Sequence, residues 1–156
     1  MALRPSDDDG TPGRVDALVR LAGHPPPLVL GSRPYRVAPA VGLPLGISTT
    51  ATWDARTVTL QPGWALLLHT DGLIEGRGVV PDELLWTEGL IDVLAAERDT
   101  DLDRLPERLV QRAQQLNGGA LVDDVAILLL SADTAPSDAP QLAAPAGLTV
   151  TAGDRT

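Results

Sequence analysis

Alternating apolar and polar residues in the first third of the chain predict short strands. From residue 15 to residue 21 the odd positions are Val, Ala, Val and Leu, which is the period of a strand with one better-buried face. Three consecutive prolines at 25–27 end this segment, because proline cannot pair in the interior of a sheet. Residues 28–30 resume as a second strand, and the Gly-Ser pair at 31–32 predicts a hairpin turn into residues 35–37.

Two longer apolar runs are interpreted as strands buried on both faces. Residues 64–68 are apolar throughout, and their length and turn-forming borders favour a strand, although periodicity alone leaves a helix open. Residues 125–130 form the second run. Residues 49–60 are rich in β-branched side chains and predict another strand, which we expect to pair with the first run through the Pro-Gly turn at 62–63.

Between the two apolar runs the pattern changes to helical spacing. A first helix is predicted to start at the Pro-Asp-Glu of 81–83, where negative charge suits a helix N-terminus. A second helix is predicted to start with a capping box formed by Thr100 and Asp103, to continue as an apolar stripe as far as Leu116, and to end at the Asn-Gly-Gly of 117–119. Several strands, two helices and one strand, in this order, predict an α+β domain with helices on one side of a largely antiparallel sheet.

The composition of successive segments predicts where the folded domain lies. Residues 1–13 are acidic and contain Gly and Pro, so we expect a disordered leader, followed by a folded domain at 14–131. Residues 132–156 are poor in large apolar side chains and are predicted to be a disordered tail. Within the domain, residues 41–47 are apolar but interrupted by two glycines and a proline, which predicts an irregular buried loop.

The overall composition excludes several functional classes. The net charge is −9 and arginine supplies all 12 basic residues without a basic block, so we expect no nucleic-acid partner. The absence of cysteine excludes disulfides, thiolate metal sites and cysteine nucleophiles. No stretch approaches the roughly 18 apolar residues that span a bilayer, and the start of the chain lacks the apolar core of a signal peptide. We therefore expect a soluble cytoplasmic protein without membrane contact.

Carboxylates lie at one end of each long apolar run, since Asp71 follows the first run and Asp123 and Asp124 precede the second. If the two strands are antiparallel neighbours, these side chains converge at one rim of the sheet. Their charges repel unless a cation neutralises them, and Mg²⁺ or Mn²⁺ suits oxygen ligands. Ordinary turn chemistry is the alternative, because Asp is common in turns. We interpret His24 as a turn-fixing hydrogen-bonding residue and His69 as a simple strand-end residue.

Four segments occur in the order and approximate spacing of motifs in one enzyme family. They are AGHPPPLVL at 22–30, GLPLGI at 42–47, LQPGWALLLHTDGLIE at 60–75 and DDVAILLL at 123–130. Together they resemble the metal-dependent protein phosphatases of the PPM family, and look most like its bacterial SpoIIE- and RsbU-like branch. The resemblance extends over roughly residues 14–131.

The resemblance implies a β-sandwich flanked by helices, a two-metal centre of Mg²⁺ or Mn²⁺, and hydrolysis of phosphoserine or phosphothreonine on a protein by a metal-activated water. It implies that Asp71 and Asp123 are metal ligands and catalytic residues, that Asp124 makes a supporting contact, and that Gly72 lets the backbone pass close to the metals. The implied substrate is a regulatory phosphoprotein of a sigma-factor or stress-response pathway, such as an anti-sigma-factor antagonist.

One family motif has no counterpart in this sequence. Members of the family carry an earlier G-D-x-x-G-x-G motif whose aspartate bridges both metals, whereas only 21 residues precede Ala22 and the nearest candidate, at 9–13, lacks the spacing and the strand context. We therefore expect the C-terminal part of a phosphatase domain, without the N-terminal strands and the bridging aspartate.

Such a chain is expected to bind metal weakly, to hydrolyse little, and to form a homodimer through unpaired strand edges. Two alternatives remain open. The chain is a non-catalytic module that binds a regulatory protein, or it is an unrelated metal-binding α+β domain with accidental motif matches.

Overall fold

In the residues that it describes, the computed structural model contains ten strands and two helices. It describes residues 1–6, 11–31, 33–37, 41–77, 84–121, 123–132 and 150–151. The strands are β1 (Ala2–Pro5), β2 (Val15–Val19), β3 (Leu21–Ala22), β4 (Leu28–Leu30), β5 (Tyr35–Arg36), β6 (Val41–Gly42), β7 (Arg56–Leu60), β8 (Ala65–His69), β9 (Ile127–Ser131) and β10 (Val150–Thr151). The helices are α1 (Trp86–Ala96) and α2 (Leu105–Asn117), and a 3₁₀ turn covers Asp71–Leu73. The predicted α+β class is confirmed.

Most of the strands form two four-stranded antiparallel sheets. The first sheet has the order β1-β2-β7-β10 and the second has the order β5-β4-β8-β9. Strands β3 and β6 make a separate parallel pair. The predicted hairpin from residues 28–30 into residues 35–37 is confirmed, because β4 pairs antiparallel with β5.

Two hydrophobic clusters define three layers. One cluster lies between the sheets and joins Ala17, Val19, Val58 and Leu60 of the first sheet to Val29 and Leu66 of the second. The other cluster lies between the second sheet and the helices, and it contains Leu28, Leu30, Ala65, Leu67, Leu90, Val93, Leu94, Leu105, Leu109 and Ala113. The second sheet is therefore covered on both faces. This burial explains why β4 and β8 are apolar at successive positions.

The expected hairpin between β7 and β8 is wrong. Strand β7 pairs with β2 and β10 in the first sheet, whereas β8 pairs with β4 and β9 in the second. Gly63 adopts a positive φ of 77°, and the Trp64 amide donates to the Gln61 carbonyl at 3.0 Å. The turn therefore forms as predicted, but it carries the chain from one sheet to the other. Strand β7 alternates between buried and half-buried residues, which suits an outer layer, while β8 requires apolar neighbours on both faces.

Helix α2 ends as predicted but begins differently. Gly118 has the left-handed φ of 75° expected of a C-terminal cap. The predicted capping box is wrong, since the helix begins at Leu105 without a side-chain cap. The Thr100 hydroxyl instead donates to Glu97 Oε2 at 2.8 Å. Helix α1 begins at Trp86, and the predicted start at 81–83 lies outside the described residues.

Two segments expected to be buried are partly or largely exposed. Strand β9 lies at the edge of the second sheet, paired only with β8 among the described strands, and Leu128 is 54% exposed. The loop at 41–47 is irregular after β6, but its large side chains reach water, with Leu45 73% and Ile47 66% exposed. Its backbone is anchored by Trp53, whose Nε1 donates to the Leu43 carbonyl at 2.7 Å. The prediction of a buried loop is therefore wrong.

Both chain ends contain strands where we expected disorder. Ala2–Pro5 pairs antiparallel with β2, and Val150–Thr151 pairs antiparallel with β7. The other predictions of disorder fall mainly on residues 7–10, 133–149 and 152–156, which lie outside the described residues. Neither described helix combines the length and apolar character required to cross a membrane.

Candidate functional site

The rim where β8 ends and β9 begins brings the predicted carboxylates onto neighbouring loops. The two strands are antiparallel, and their last paired residues are His69 and Ile127. One further backbone hydrogen bond extends the ladder, from the Thr70 amide to the Ala126 carbonyl at 3.1 Å. Asp71 follows this point directly on one strand, and Asp123 and Asp124 precede it on the other. The side-by-side antiparallel arrangement that the sequence required is therefore present.

The side chain of Thr70 joins the two loops. Its hydroxyl donates to the Asp124 carbonyl at 3.0 Å and accepts from the Ala126 amide at 2.9 Å. No role was predicted for Thr70 from the sequence. A small hydroxyl residue between a buried strand and an aspartate was the available signal, but its two partners are more than fifty positions away along the chain.

Gly72 lies where the two loops approach most closely. A Cβ atom built on this buried glycine would lie 2.5 Å from the Asp124 carbonyl oxygen and 3.2 Å from the Asp123 carbonyl carbon. Both atoms belong to the backbone, so they cannot move aside as a flexible side chain would. Gly72 therefore permits a close backbone approach between the loops. From the sequence, a close backbone approach at Gly72 was expected toward metals, and in the structure it is made toward the loop of Asp123 and Asp124.

The two aspartates also take part in ordinary turn chemistry. Asp71 is exposed and opens the 3₁₀ turn, with its Oδ1 accepting from the Gly72 amide at 3.1 Å. Asp123 is exposed, and its Oδ1 accepts from the Asp124 amide at 2.7 Å. These bonds use one oxygen of each carboxylate. The local geometry is therefore that of two Asp-stabilised turns held side by side.

The donor atoms fit a hard divalent cation in kind but not in number. Exposed carboxylate oxygens are the ligands that Mg²⁺ and Mn²⁺ prefer. Within the described residues, however, no group of three or more His, Cys, Asp or Glu side chains is arranged so that it could hold a metal ion. The described part of the chain thus offers an incomplete ligand set.

His69 is the last residue of β8, as predicted, and it is also buried, with 2% of its surface exposed. Its Nδ1 lies 2.9 Å from the Thr70 carbonyl. A carbonyl can only accept, so Nδ1 carries the proton. Burial lowers the pKa of His69, which favours the neutral ring. Its Nε2 is then a buried acceptor without a hydrogen-bond partner in the described structure.

His24 has the role predicted for it. Its side chain is exposed, and Nδ1 lies 2.9 Å from the carbonyl of the next residue, Pro25. This contact holds the turn that leads into the prolines.

Comparison with known proteins identifies the family. The family model of Stage II sporulation protein E (SpoIIE) matches residues 12–133, which is most of the chain. The chain belongs to the SpoIIE family. Family membership and fold agree with a PPM-type phosphatase, and this confirms the resemblance predicted from the four sequence motifs. A search of curated proteins finds no match.

Two solved structures are similar to this SpoIIE-family chain. One is the structure of the RsbU and RsbW domains of Rv1364c from Mycobacterium tuberculosis, with a TM-score of 0.56 and 28% identity, covering 80% of this chain and 34% of that one. The other is the phosphatase domain of the cell fate determinant SpoIIE from Bacillus subtilis, presoaked with Mn, with a TM-score of 0.59 and 16% identity. It covers 89% of this chain and 57% of that one, and its likeness concerns the fold alone. The chain therefore spans between a third and three fifths of these two structures.

Proposed function

We propose that this chain supplies the C-terminal part of a PPM-type protein serine/threonine phosphatase domain. The observation that carries the proposal is the pairing of β8 with β9, which brings the loop of Asp71 against the loop of Asp123 and Asp124. Family membership supports the same reaction class. The reaction is hydrolysis of a phosphoserine or phosphothreonine monoester on a protein.

In this proposal Asp71 and Asp123 are the metal ligands, Asp124 makes a supporting contact, and Gly72 keeps the two loops close. Bound Mg²⁺ or Mn²⁺ would neutralise phosphate charge and lower the pKa of a bound water. Because the described ligand set is incomplete, we expect weak metal binding and little turnover from this chain alone. A carboxylate from elsewhere would complete the site.

The proposed substrate is a regulatory phosphoprotein of a sigma-factor or stress-response pathway, in the manner of an anti-sigma-factor antagonist. Support comes from the neighbour whose structure contains RsbU and RsbW domains in one protein. A phosphorylated segment approaching the rim would meet the exposed carboxylates of Asp71, Asp123 and Asp124, which disfavour an anionic ligand until a cation is bound.

A specific observation favours a second function. The incomplete ligand set in the described residues also suits a non-catalytic, phosphatase-like module that binds a regulatory protein without hydrolysing it. The two functions differ in whether the chain hydrolyses a phosphoester through Asp71 and Asp123 or only binds the phosphorylated partner.

Phosphatase assays with Mn²⁺ and a phosphoserine peptide test the choice. Asp71→Asn and Asp123→Asn should each abolish the turnover seen with the wild-type chain, while Asp92→Asn, an exposed carboxylate on α1, should leave it unchanged. Turnover that survives Asp71→Asn contradicts the proposed site. Complete inactivity together with retained binding of the phosphopeptide supports the binding module.

We further propose that the edge of β9 promotes self-association. The strand is apolar, carries no charged residue and has its outer edge unpaired within the described structure, which favours pairing with another strand. Light scattering should detect a homodimer that Leu128→Lys weakens and that Gln111→Lys, on the exposed surface of α2, leaves unchanged. A wild-type chain that stays monomeric at all concentrations contradicts this interface.

A further inference from the structure

The two carboxylate loops lie beyond the end of the regular β8–β9 ladder, so something other than strand pairing must hold them in place. Ladder pairing ends at His69 and Ile127, and a single backbone bond from Thr70 continues it. Past that point the described hydrogen bonds between the loops are the two made by the Thr70 hydroxyl. We propose that Thr70 is a positioning residue whose hydroxyl fixes the Asp123–Asp124 segment relative to Asp71. This inference rests on the proposed metal-binding function of the rim.

The hydroxyl is suited to this role because it uses both of its hydrogen-bonding capacities. Its single proton goes to the Asp124 carbonyl, and its oxygen accepts from the Ala126 amide. The two partners flank Val125, so one side chain holds the backbone on both sides of that residue. The segment immediately after Asp123 is therefore clamped at two points instead of one.

Gly72 permits the same segment to lie this close to the end of β8. The Asp124 carbonyl oxygen that accepts from Thr70 is also the atom that a Cβ at residue 72 would approach to 2.5 Å. Thr70 draws this carbonyl toward the end of β8, and the absence of a side chain at Gly72 leaves room for it. His69 adds a third restraint, because its Nδ1 donates to the Thr70 carbonyl and fixes the backbone from which the hydroxyl projects.

The partners of Thr70 are exposed, which separates positioning from stability. Asp124 and Ala126 both reach solvent, so water can replace the hydroxyl as their hydrogen-bond partner if it is removed. Loss of the hydroxyl should then change the global stability little. It should instead allow the distance between the two loops to vary. A cation site built from carboxylates on both loops depends on that distance, because residues that support metal ligands also orient them.

The test compares Thr70→Val, which keeps the shape and removes the hydroxyl, with Thr70→Ser, which keeps the hydroxyl. Mn²⁺ affinity is measured on the full chain by calorimetry, and amide hydrogen exchange is measured at Ala126. We expect Thr70→Val to weaken Mn²⁺ binding by about 10- to 100-fold, the usual effect of losing a residue that orients a ligand. Thr70→Ser should stay within about threefold of wild type, because it retains the same donor and acceptor.

A matched control lies in the first sheet, away from the rim. The Thr59 hydroxyl donates to Asp16 Oδ1 across the β7–β2 pair at 2.9 Å. Thr59→Val also removes a cross-strand hydroxyl bond, but it should change neither Mn²⁺ affinity nor exchange at Ala126. Equal effects of Thr59→Val and Thr70→Val would contradict a role specific to the rim.

The two readouts distinguish failure of this inference from failure of the proposed function. If the wild type binds Mn²⁺ and Thr70→Val binds it equally well, the positioning role is wrong. If the wild type binds no Mn²⁺, the metal proposal fails, and exchange at Ala126 decides the role of Thr70. Faster exchange in Thr70→Val, restored in Thr70→Ser, then supports the clamp, and unchanged exchange overturns it.

Discussion

Strands β8 and β9 are neighbours of similar composition in different surroundings. Residues 65–69 read ALLLH and residues 127–131 read ILLLS, and the two strands pair along their whole length. Four of the five residues of β8 are buried, whereas no residue of β9 is fully buried. Leu67 is 0% exposed and Leu128 is 54% exposed.

The difference arises from position in the sheet and not from hydrophobicity. Strand β8 lies between β4 and β9, with the first sheet on one face and the helices on the other. Strand β9 has the edge position, and α2 packs against it. The apolar sequence of β9 is typical of a central strand, so its edge is the part of the described structure best suited to accept a further strand. We therefore expect substitutions in β8 to affect mainly the stability of the fold and substitutions at the edge of β9 to affect mainly self-association.

Truncation of one leucine in each strand tests this contrast and has the largest expected effect. Leu67→Ala should lower the free energy of unfolding by about 2–5 kcal/mol, because it leaves a cavity in the core between the second sheet and the helices. Leu128→Ala should lower it by less than about 1 kcal/mol, since half of that side chain already contacts water. Urea denaturation followed by circular dichroism measures both. Equal losses in the free energy of unfolding would show that Leu128 is buried in solution, which contradicts the exposed position of β9.

The junction of the two strands provides a second and smaller contrast. Gly72→Ala places a methyl group against the Asp124 carbonyl and should destabilise the chain by about 1–3 kcal/mol, the usual range for forced overpacking. Gly31→Ala is the matched control, because a Cβ there meets no atom within 4 Å, and its effect should be within about 0.5 kcal/mol. Thermal unfolding compares the two variants.

A stable Gly72→Ala variant would mean that the loops separate easily. In that case the close approach between Gly72 and Asp124 would not be a constraint on the rim. Mn²⁺ affinity of the same variant then tests whether the spacing matters for binding.

The features predicted correctly from sequence are those set by residues close together in the chain. The alternation of residues 15–19, the apolar run at 64–68 and the glycine cap at Gly118 each depend on local geometry, and each is present. The strand predicted to continue to residue 21 is instead divided at Arg20 into β2 and β3, and β3 pairs with β6. The convergence of the carboxylate loops was also predictable. Two apolar strands with acidic residues at opposite ends bring those residues to one rim when they pair as antiparallel neighbours, as β8 and β9 do.

The features that were missed depend on partners far along the chain. The Pro-Gly sequence at 62–63 predicts a turn, but it does not determine whether the next strand joins the same sheet or another one. The apolar loop at 41–47 is exposed, and it contacts residues that lie outside it in the sequence. Trp53 holds the Leu43 carbonyl, and a Cβ at Gly23 would lie 2.6 Å from Pro44.

The smallest expected effect concerns the helix layer that covers the second sheet. Glu97, just after α1, accepts two hydrogen bonds from Arg108 of α2, at 3.1 Å and 3.2 Å, and one from Thr100. The Arg108 guanidinium, with the Thr100 hydroxyl, lowers the pKa of Glu97 below its ordinary value of 4.5. Stability from this carboxylate is therefore present above about pH 4.5 and is lost as the pH falls through the lower folded pKa.

Glu97→Gln should cost about 1 kcal/mol at pH 7, because it replaces charge-assisted hydrogen bonds with neutral ones at a partly exposed site. The difference from wild type should shrink as the pH falls below about 4.5, where the wild-type carboxyl also becomes neutral. Glu88→Gln is the control, because its pair with Arg36 is exposed on both sides and should contribute almost nothing at any pH. A Glu97→Gln deficit that stays constant in acid would assign the contribution of Glu97 to packing. The link between the two helices would then not depend on charge, and the layer over β8 and β9 would be held by its apolar contacts alone.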